Sequence, residues 1–300
     1  MAVARSNPPL LTKTELAKKI GVSRSSLYYK HKMPERDKEV KAQIESVLSN
    51  HPSYGHKRIA IALKLNKKRI LRVMKKFGIK PYRRRVKKPV KKNDLNKLPS
   101  KIKNNIKNFC PISPNVVWAS DFTYIKYDSK FIYLATIIDI YTREIVGWNI
   151  SRFHNKELVL GALEDAIRRQ GGKTPTYLHS DQGSEYVSQL YQQTAKKLNI
   201  ILSMSKKGSP WENGHQESFY SNFKLDLGRT DRFSELGELI AAIHETMNKY
   251  NKTRIHSKLK MSPIKFKKQY YKKLFTDNAS RKKGTWHEVK SCDIIIIYLI

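Results

Sequence analysis

The chain has 300 residues, of which 60 are Lys or Arg and 25 are Asp or Glu, so its formal net charge is +35 at pH 7. This charge indicates nucleic acid as a partner. The alternative is a ribosomal-type or merely soluble basic protein, but 39% hydrophobic residues suffice for two or three domains with their own hydrophobic cores. The two cysteines fit neither a zinc finger nor a disulfide framework, which favours a reducing compartment. The sequence shows no signal-peptide pattern and no apolar run of about 20 residues, so we expect no membrane span.

Residues 1–50 begin with the pattern of a helix-turn-helix. Thr12 or Thr14 can cap a first helix, and Gly21 ends it before a second helix begins. Side chains and free backbone N–H groups at the start of a second helix can reach bases and phosphates, so we take as candidate DNA contacts Arg24, Ser25 and Ser26. Two basic surface helices that enter no groove are the alternative.

Residues 51–80 form a second helix-turn-helix segment. Apolar residues recur in it at the spacing of helix faces, and the rest of its surface is strongly basic. The candidate DNA contacts here are Lys57, Arg58 and Arg69. A solvated basic face would also explain these charges, but two such units in succession favour a bipartite DNA-binding region.

Residues 81–115 lose the helical periodicity and alternate prolines with basic clusters. Like charges at this density repel one another, which predicts a flexible basic linker that resists folding until phosphates neutralise it. A plain disordered spacer is an equally compatible interpretation.

Residues 116–275 change to the pattern of an α/β domain. Three antiparallel strands rich in β-branched and aromatic residues are followed by alternating helices and short strands. The predicted strands are residues 116–127, 130–142, 144–151, 176–179 and 200–204, and the predicted helices are residues 155–169, 184–198 and those from 212 onward. This order predicts one mixed sheet covered by helices.

Three carboxylates stand out in this domain. Asp121 lies inside the first strand among apolar residues, Asp181 directly follows the fourth strand, and Glu217 lies on a helix. A buried carboxylate needs a partner, and three acids brought together can hold the divalent cations that activate a phosphodiester. Lys224, two helical turns beyond Glu217, could hold a substrate phosphate. Helix caps or surface ion pairs are the alternative roles for these acids.

Five further polar residues lie in or near these motifs. Asp139 and Glu185 are interpreted as structural. His179, Arg254 and His256 either contact DNA or pack within the fold, and the sequence favours neither role.

The acids lie in the segments 118–124, 179–186 and 213–219, and a further pattern runs through residues 250–266. Together these segments resemble the catalytic core of the retroviral-integrase (DDE) superfamily, specifically the second-reading-frame (OrfB-type) transposases of bacterial insertion sequences. Residues 54–59 resemble the second helix-turn-helix segment of the same group, so the similarity spans most of the chain.

The resemblance implies an RNase H-like mixed sheet flanked by helices, preceded by an all-α helix-turn-helix region. Asp121, Asp181 and Glu217 would be catalytic and would bind two Mg²⁺ ions, for which Mn²⁺ can substitute. The implied reaction is DNA strand cleavage at the element's ends followed by strand transfer to target DNA.

The implied partners are double-stranded DNA of the terminal repeats and of the target, further copies of the chain in a homo-oligomer, and an upstream-frame fusion partner. The implied location is the bacterial cytoplasm at the nucleoid. Two features depart from the group: Glu212 replaces an Asp, and residues 276–300 find no counterpart. The apolar end of this tail could be an extra strand, an oligomer contact or a scar of a reading-frame change.

Two rival functions remain on the sequence alone. A DNA-binding regulator descended from such an enzyme would lack catalysis, although the acid triad argues against it. A nuclease acting on RNA–DNA hybrids would keep the fold, but two helix-turn-helix candidates suit recognition of defined duplex ends better.

Overall fold

The computed structural model describes residues 12–28, 33–83, 102–107, 109–206 and 209–282. Its first element is helix α1 (Lys13–Lys19), which Thr12 caps in a reciprocal capping box with Glu15. The chain then turns at Gly21, whose φ of +71° lies in the left-handed region that glycine adopts at low cost. The predicted second helix is a short 3₁₀ helix, Arg24–Tyr28, because the hydroxyl of Ser23 accepts the Ser26 N–H and tightens this turn.

Three further helices share one apolar core, and they are α2 (Met33–Asn50), α3 (His56–Leu63) and α4 (Lys67–Lys76). Val40 and Ile44 of α2 pack against Ile59 of α3 and Ile70 of α4. α2 lies within the range 1–50 that the sequence assigned to the first unit, yet its buried side chains belong to this second core.

One five-stranded sheet forms the centre of residues 116–275. Its strands are β1 (Val117–Tyr127), β2 (Lys130–Asp139), β3 (Ile145–Ser151), β4 (Tyr177–Ser180) and β5 (Ile201–Met204). They lie in the order β3-β2-β1-β4-β5, with β1, β2 and β3 antiparallel and with β4 and β5 parallel to β1. The predicted mixed sheet is therefore confirmed, and so are the five predicted strands.

Helices cover both faces of this sheet, and they are α5 (Lys156–Arg169), α6 (Ser184–Val187), α7 (Gln189–Lys197), α8 (Gly214–Leu227) and α9 (Leu236–Lys252). One face packs Trp118 and Leu178 against α5, α6 and α7. The other packs Ile125 and Leu134 against α8 and α9. Successive residues of a strand point to opposite faces, so β1 contributes to both cores.

Two local predictions differ from the structure. Residues 184–198 were expected to form one helix, but the structure has two, α6 and α7, with Ser188 between them. The Ser188 hydroxyl donates to the Glu185 carbonyl and accepts the Tyr191 N–H. Within the predicted linker, Asn105 donates its backbone N–H to Ser203 and its side-chain amide to the Leu202 carbonyl, so residues 102–107 follow the free edge of β5. Of the predicted linker, residues 84–101 and 108 lie outside the described residues.

The chain ends its described part in helix α10 (Pro263–Lys282). Tyr141, in the β2–β3 turn, contacts the rings of Phe266 and Tyr270 on this helix. Within the described ranges, no helix combines the length and apolarity that a bilayer crossing requires. The apolar tail segment 286–300 lies outside the described residues.

Polar contacts join the α2–α4 unit to the sheet domain. Ser53 donates to Asp226 over 2.6 Å, and Arg254 forms an ion pair with the same carboxylate. The hydroxyl of Tyr54 accepts the Ile255 N–H at 2.6 Å, and the Ile255 side chain packs against the helical core. These contacts hold α3 beside the segment that follows α9.

Candidate active site

Asp121 and Asp181 occupy matching positions on neighbouring parallel strands. Ala119 of β1 pairs with His179 of β4, and each aspartate lies two residues further along its own chain. Since neighbouring strands lie about 4.8 Å apart, the two backbones bring Asp121, in the middle of β1, beside Asp181 at the carboxyl end of β4, where open α/β sheets bind ligands. The predicted position of Asp181, directly after the fourth strand, is confirmed.

Asp121 is half-buried, and its charge acts on two buried tyrosines, Tyr186 and Tyr220. One of its carboxylate oxygens accepts the Phe122 N–H at 2.8 Å, and its backbone carbonyl accepts the Tyr220 hydroxyl at 2.6 Å. Burial raises the pKa of Tyr220 well above its ordinary value, and the Asp121 charge raises this pKa further; the same two causes act on Tyr186. Both phenols therefore stay protonated, and Tyr220 stays a donor at neutral pH.

Asp181 is exposed and begins a tight turn. Its Oδ1 accepts the Gly183 N–H at 3.0 Å. A Cβ on Gly183 would lie 3.1 Å from this oxygen and 2.9 Å from Oε2 of Glu185, so a side chain here would crowd two carboxylates. Glu185 itself is buried and bonds His154 Nδ1 at 3.0 Å, consistent with the structural role assigned to it.

Three polar side chains at the start of α8 attach this helix to β1. Gln216, which is fully buried, donates to the carbonyls of Ala119 at 2.6 Å and Thr136 at 3.0 Å. Tyr220 bonds the Asp121 carbonyl, and Asn213 donates to the Ser120 carbonyl at 3.4 Å. These bonds place the first turns of α8 directly over the segment of β1 that contains Asp121.

Glu217 is exposed and shares one side of α8 with Asn213, Tyr220 and Lys224, because residues three, four and seven apart line up along a helix. Asn213 and Tyr220 contact the backbone at Ser120 and Asp121, so Glu217 lies on the side of the helix that faces the two aspartates. The ammonium of Lys224 lies 4.8 Å from the ring centre of Tyr124, on the same strand as Asp121.

The start of α8, which contains Glu217, lies over the segment of β1 that contains Asp121, but the three acids do not form a closed metal cage. Among the described residues, no three His, Cys, Asp or Glu side chains lie close enough together to hold a metal ion. Their chemistry nevertheless fits a hard divalent cation, because carboxylate oxygens are the ligands that Mg²⁺ prefers. Asp181 and Glu217 are exposed, so their side chains can reorient without disturbing a core.

The candidate DNA contacts of the helical region have different surroundings. Arg24, Ser25 and Ser26 are exposed, and both serine hydroxyls bond Ser23 at 2.8 Å. Lys57 is exposed, while the half-buried residues are Arg58 and Arg69.

The structure favours packing for two residues whose role the sequence left open. His179 is fully buried and bonds the Ser203 hydroxyl at 3.0 Å. Arg254 is 3% exposed, and its guanidinium contacts Asp226, Ser53 and Asn222, so the proposed direct DNA contact of Arg254 is not supported. His256 is half-buried, and burial together with neighbouring cations lowers its pKa to about 4.

Sequence reasoning overlooked Gln216 and Arg143. Gln216 occupies the buried stripe of α8 that also contains Phe219 and Phe223, and a polar residue in such a stripe is the signal that could have identified it. Arg143 is 7% exposed in the turn between β2 and β3, and its pattern in the sequence does not differ from that of many surface arginines.

The sheet order and the helices on both faces define an RNase H-like fold of the integrase catalytic type. Two family models described as Integrase core domain match residues 112–210 and 198–263. These matches cover the sheet, α8 and all three acids.

Curated relatives extend the similarity to nearly the whole chain. An insertion element IS600 protein of 31 kDa from Shigella sonnei is 32% identical over 84% of this chain and 97% of its own length. The putative transposase InsK of IS150 from Escherichia coli is 28% identical over 86% of this chain and 94% of its own. Among solved structures, the HTLV-2 integrase catalytic core domain in complex with magnesium (trimeric form) has a TM-score of 0.43 at 19% identity, over 52% of this chain and 97% of its own.

The chain belongs to the insertion-sequence transposases of the retroviral-integrase superfamily. Enzymes of this superfamily are polynucleotidyl transferases, which is the class of enzyme that the core defines here.

Proposed function

We propose that this chain catalyses magnesium-dependent cleavage and strand transfer of DNA at the ends of an insertion sequence, with Asp121, Asp181 and Glu217 as the catalytic acids. The observation that carries this proposal is the convergence of three backbones. β1 and β4 present the two aspartates side by side, and Gln216, Asn213 and Tyr220 hold α8 over the same edge.

The three carboxylates would hold two Mg²⁺ ions, with Mn²⁺ as a substitute. Bound magnesium supplies positive charge that stabilises the reacting phosphate and increases the acidity of an attacking hydroxyl. Asp121, held by Tyr220 and the Phe122 N–H, is the most restrained of the three ligands. The exposed Asp181 and Glu217 would complete the ligand set by side-chain rotation.

The reaction consists of two substitutions at phosphorus. In the first, a water oxygen bonds the phosphorus at the element's end, the bond from phosphorus to the 3′ oxygen breaks, and that oxygen leaves as a 3′-hydroxyl. In the second, this hydroxyl bonds a phosphorus of target DNA, which releases a new 3′-hydroxyl on the target. Lys224, beside Glu217 on α8, would hold a non-reacting phosphate oxygen near the site.

The proposed partner is double-stranded DNA, both the terminal repeats and the target. The net charge of +35 supports this, since neutralised phosphates release counterions and so favour binding. Arg24, Ser25, Ser26, Lys57, Arg58 and Arg69 would contribute these contacts from the helical region. Assembly as a homo-oligomer on paired ends, and synthesis with an upstream-frame fusion partner, complete the proposal, with the bacterial nucleoid as its location.

The test uses Glu217→Gln, which removes one charge from an exposed side chain and leaves its shape almost unchanged. We expect Mg²⁺-dependent nicking and joining of a duplex carrying the element's inverted repeat to disappear while duplex binding persists. Glu164→Gln, at an exposed acid on α5, is the matched control and should keep full activity.

Full activity of Glu217→Gln would overturn the proposal. Tight duplex binding by the unmutated chain without any Mg²⁺-dependent cleavage would instead support the rival regulator. Preferential cleavage of an RNA–DNA hybrid would support the rival nuclease.

A further inference from the structure

A cationic cavity of about 200 Å³ lies between the helical region and the sheet domain. α3, the β2–β3 turn, the first half of α8 and the segment after α9 enclose it. The charged or titratable side chains that line it are Arg58, Arg143, His215, Tyr250, Arg254, His256 and Lys258. Within the described residues its lining contains no carboxylate.

Arg143 is the most unusual side chain of this cavity. It is 7% exposed, and within the described chain its Nε and Nη1 have no hydrogen-bond partner. Its φ of 62° is left-handed, a conformation that costs a non-glycine residue energy and that concentrates at functional sites. Burial lowers the pKa of this guanidinium, because a buried cation without hydrogen-bonded partners is unfavourable.

The two acids nearest to Arg143 in sequence, Glu144 and Asp139, do not satisfy its guanidinium. Glu144 pairs with Lys267 at 2.8 Å. Asp139 accepts the N–H groups of Asn115 at 2.6 Å and Thr142 at 2.7 Å, together with the Thr142 hydroxyl at 3.0 Å. Arg143 lines the cavity, and its Nε and Nη1 are buried without a partner in the described chain, so their hydrogen-bonding capacity is unused.

The other cations of the cavity divide into paired and unpaired groups. Arg254 forms its ion pair with Asp226, whereas Nε of the half-buried Arg58 has no partner within the described chain. Nδ1 of His256 is also without a described partner, and its depressed pKa of about 4 leaves it neutral at pH 7. The surplus positive charge of the cavity thus comes from Arg143 and Arg58, together with the exposed Lys258.

We infer that this cavity binds a phosphate group, with Arg143 and Arg58 donating hydrogen bonds to its oxygens. A guanidinium presents parallel N–H donors that match the oxygens of a phosphate, and the charge of the anion offsets the cost of burying two arginines. The site is separate from the proposed reaction centre. His215, Ser218 and Asn222 face it from α8, on the other side of the buried stripe from Glu217.

The position of this site gives a bound phosphate a structural consequence. Arg58 belongs to α3 and Arg143 to the sheet domain, so one anion would join the two regions beside the helix that contains Glu217. Only the source of the phosphate rests on the proposed function: the backbone of bound DNA if the chain is a transposase acting on duplex ends, or a small free anion otherwise.

The first experiment measures the melting temperature of the full chain, without divalent metal, against inorganic phosphate at constant ionic strength with chloride as reference. We expect a saturating rise for the wild type and for Lys173→Gln, which removes an exposed charge after α5. Arg143→Gln should lose this rise and should melt higher than the wild type in phosphate-free buffer. Arg58→Gln should weaken the rise and provides the test should Arg143→Gln not fold.

An equal phosphate-dependent rise in the wild type and both arginine variants would overturn the inference, because it would reflect general salting effects on stability. The absence of any rise in the wild type would overturn it as well.

The second experiment identifies the source of the phosphate by measuring duplex affinity against salt in a Glu217→Gln background. If DNA supplies the phosphate, Arg143→Gln should reduce the slope of log K against log salt by about 0.9, the effect of one lost phosphate contact. Lys173→Gln should keep the slope. An unchanged slope in Arg143→Gln, with the phosphate-dependent melting shift intact in the wild type, assigns the site to a small anion. Neither measurement requires catalysis, so an inactive enzyme leaves the result interpretable.

Discussion

The two sides of α8 differ in the charged side chains that lie along them. On one side lies Glu217, and Gln216 and Tyr220 attach the helix there to the backbone of β1 around Asp121. On the other side, three arginines line the cavity. One of them, Arg143, is buried, and within the described chain two of its nitrogens have no hydrogen-bond partner.

On the two proposals made above, each side would be completed by a ligand of the opposite charge. Three acids at one edge suit divalent cations, and buried guanidinium groups suit an anion. Between them lies the buried stripe of α8, in which hydrogen bonds to β1 and aromatic packing hold the helix in place. The following predictions test the acidic side, the stripe and the cationic side in turn.

The largest effect is expected at the acidic side. Asp121→Asn should lower Mg²⁺-dependent cleavage on the order of 10³-fold, because it removes a negative ligand from the proposed ion site. Single-turnover cleavage of a labelled duplex measures the loss. Asp128→Asn, in the exposed turn after β1, makes the same chemical change and should remain fully active; comparable losses in both variants would contradict the assignment.

A substitution in the buried stripe should affect both stability and activity. Gln216→Leu leaves the carbonyls of Ala119 and Thr136 without their donor, so we expect a loss of about 2 kcal/mol in the free energy of unfolding. Urea denaturation measures this loss. Cleavage should also fall, because Glu217 loses its support, whereas Gln193→Leu on the exposed side of α7 should change neither quantity.

Removing one hydroxyl from the same stripe should have a smaller effect. Tyr220→Phe loses the bonds to the Asp121 carbonyl and the Thr136 hydroxyl, which we expect to cost about 1.5 kcal/mol of stability. The exposed Tyr124→Phe keeps the ring beside Lys224 and serves as the control in the same urea titration. Equal stability of Tyr220→Phe and the wild type would show that the hydroxyl does not hold α8.

The smallest effect is a pH dependence on the cationic side. Burial, then Arg143, Arg58, Arg254 and Lys258, lower the pKa of His256 from 6.5 to about 4. The unfolded chain therefore binds this proton at higher pH, so the contribution of His256 is complete above pH 6.5 and is lost as pH falls toward 4.

This loss should stay below about 1 kcal/mol because His256 is partly exposed. Urea denaturation between pH 7.5 and 4.5 measures it, and His256→Gln should flatten the dependence slightly. Saturating phosphate should raise the pKa of His256, which proton NMR of its ring can follow, since an anion offsets the neighbouring cations.

The sequence by itself determined the strand order along the chain and the identity of the candidate acids. β-branched and aromatic residues with short turns predicted β1, β2 and β3, because local preference and the alternation of buried residues agree there. The position of Asp181 after β4 was also predictable, since an apolar strand followed by an acid and a glycine marks the end of a sheet strand.

Only the tertiary structure decided how α8 attaches and where the cationic cavity forms. The bonds of Gln216 join it to Ala119 and Thr136, which lie 97 and 80 residues away in sequence. Arg143 and Arg58 line one cavity from two regions of the chain, and no local sequence pattern records this arrangement. Burial and long-range hydrogen bonding depend on how separate segments pack, whereas secondary-structure preference depends on neighbouring residues. The sequence therefore reveals secondary structure more readily than it reveals packing.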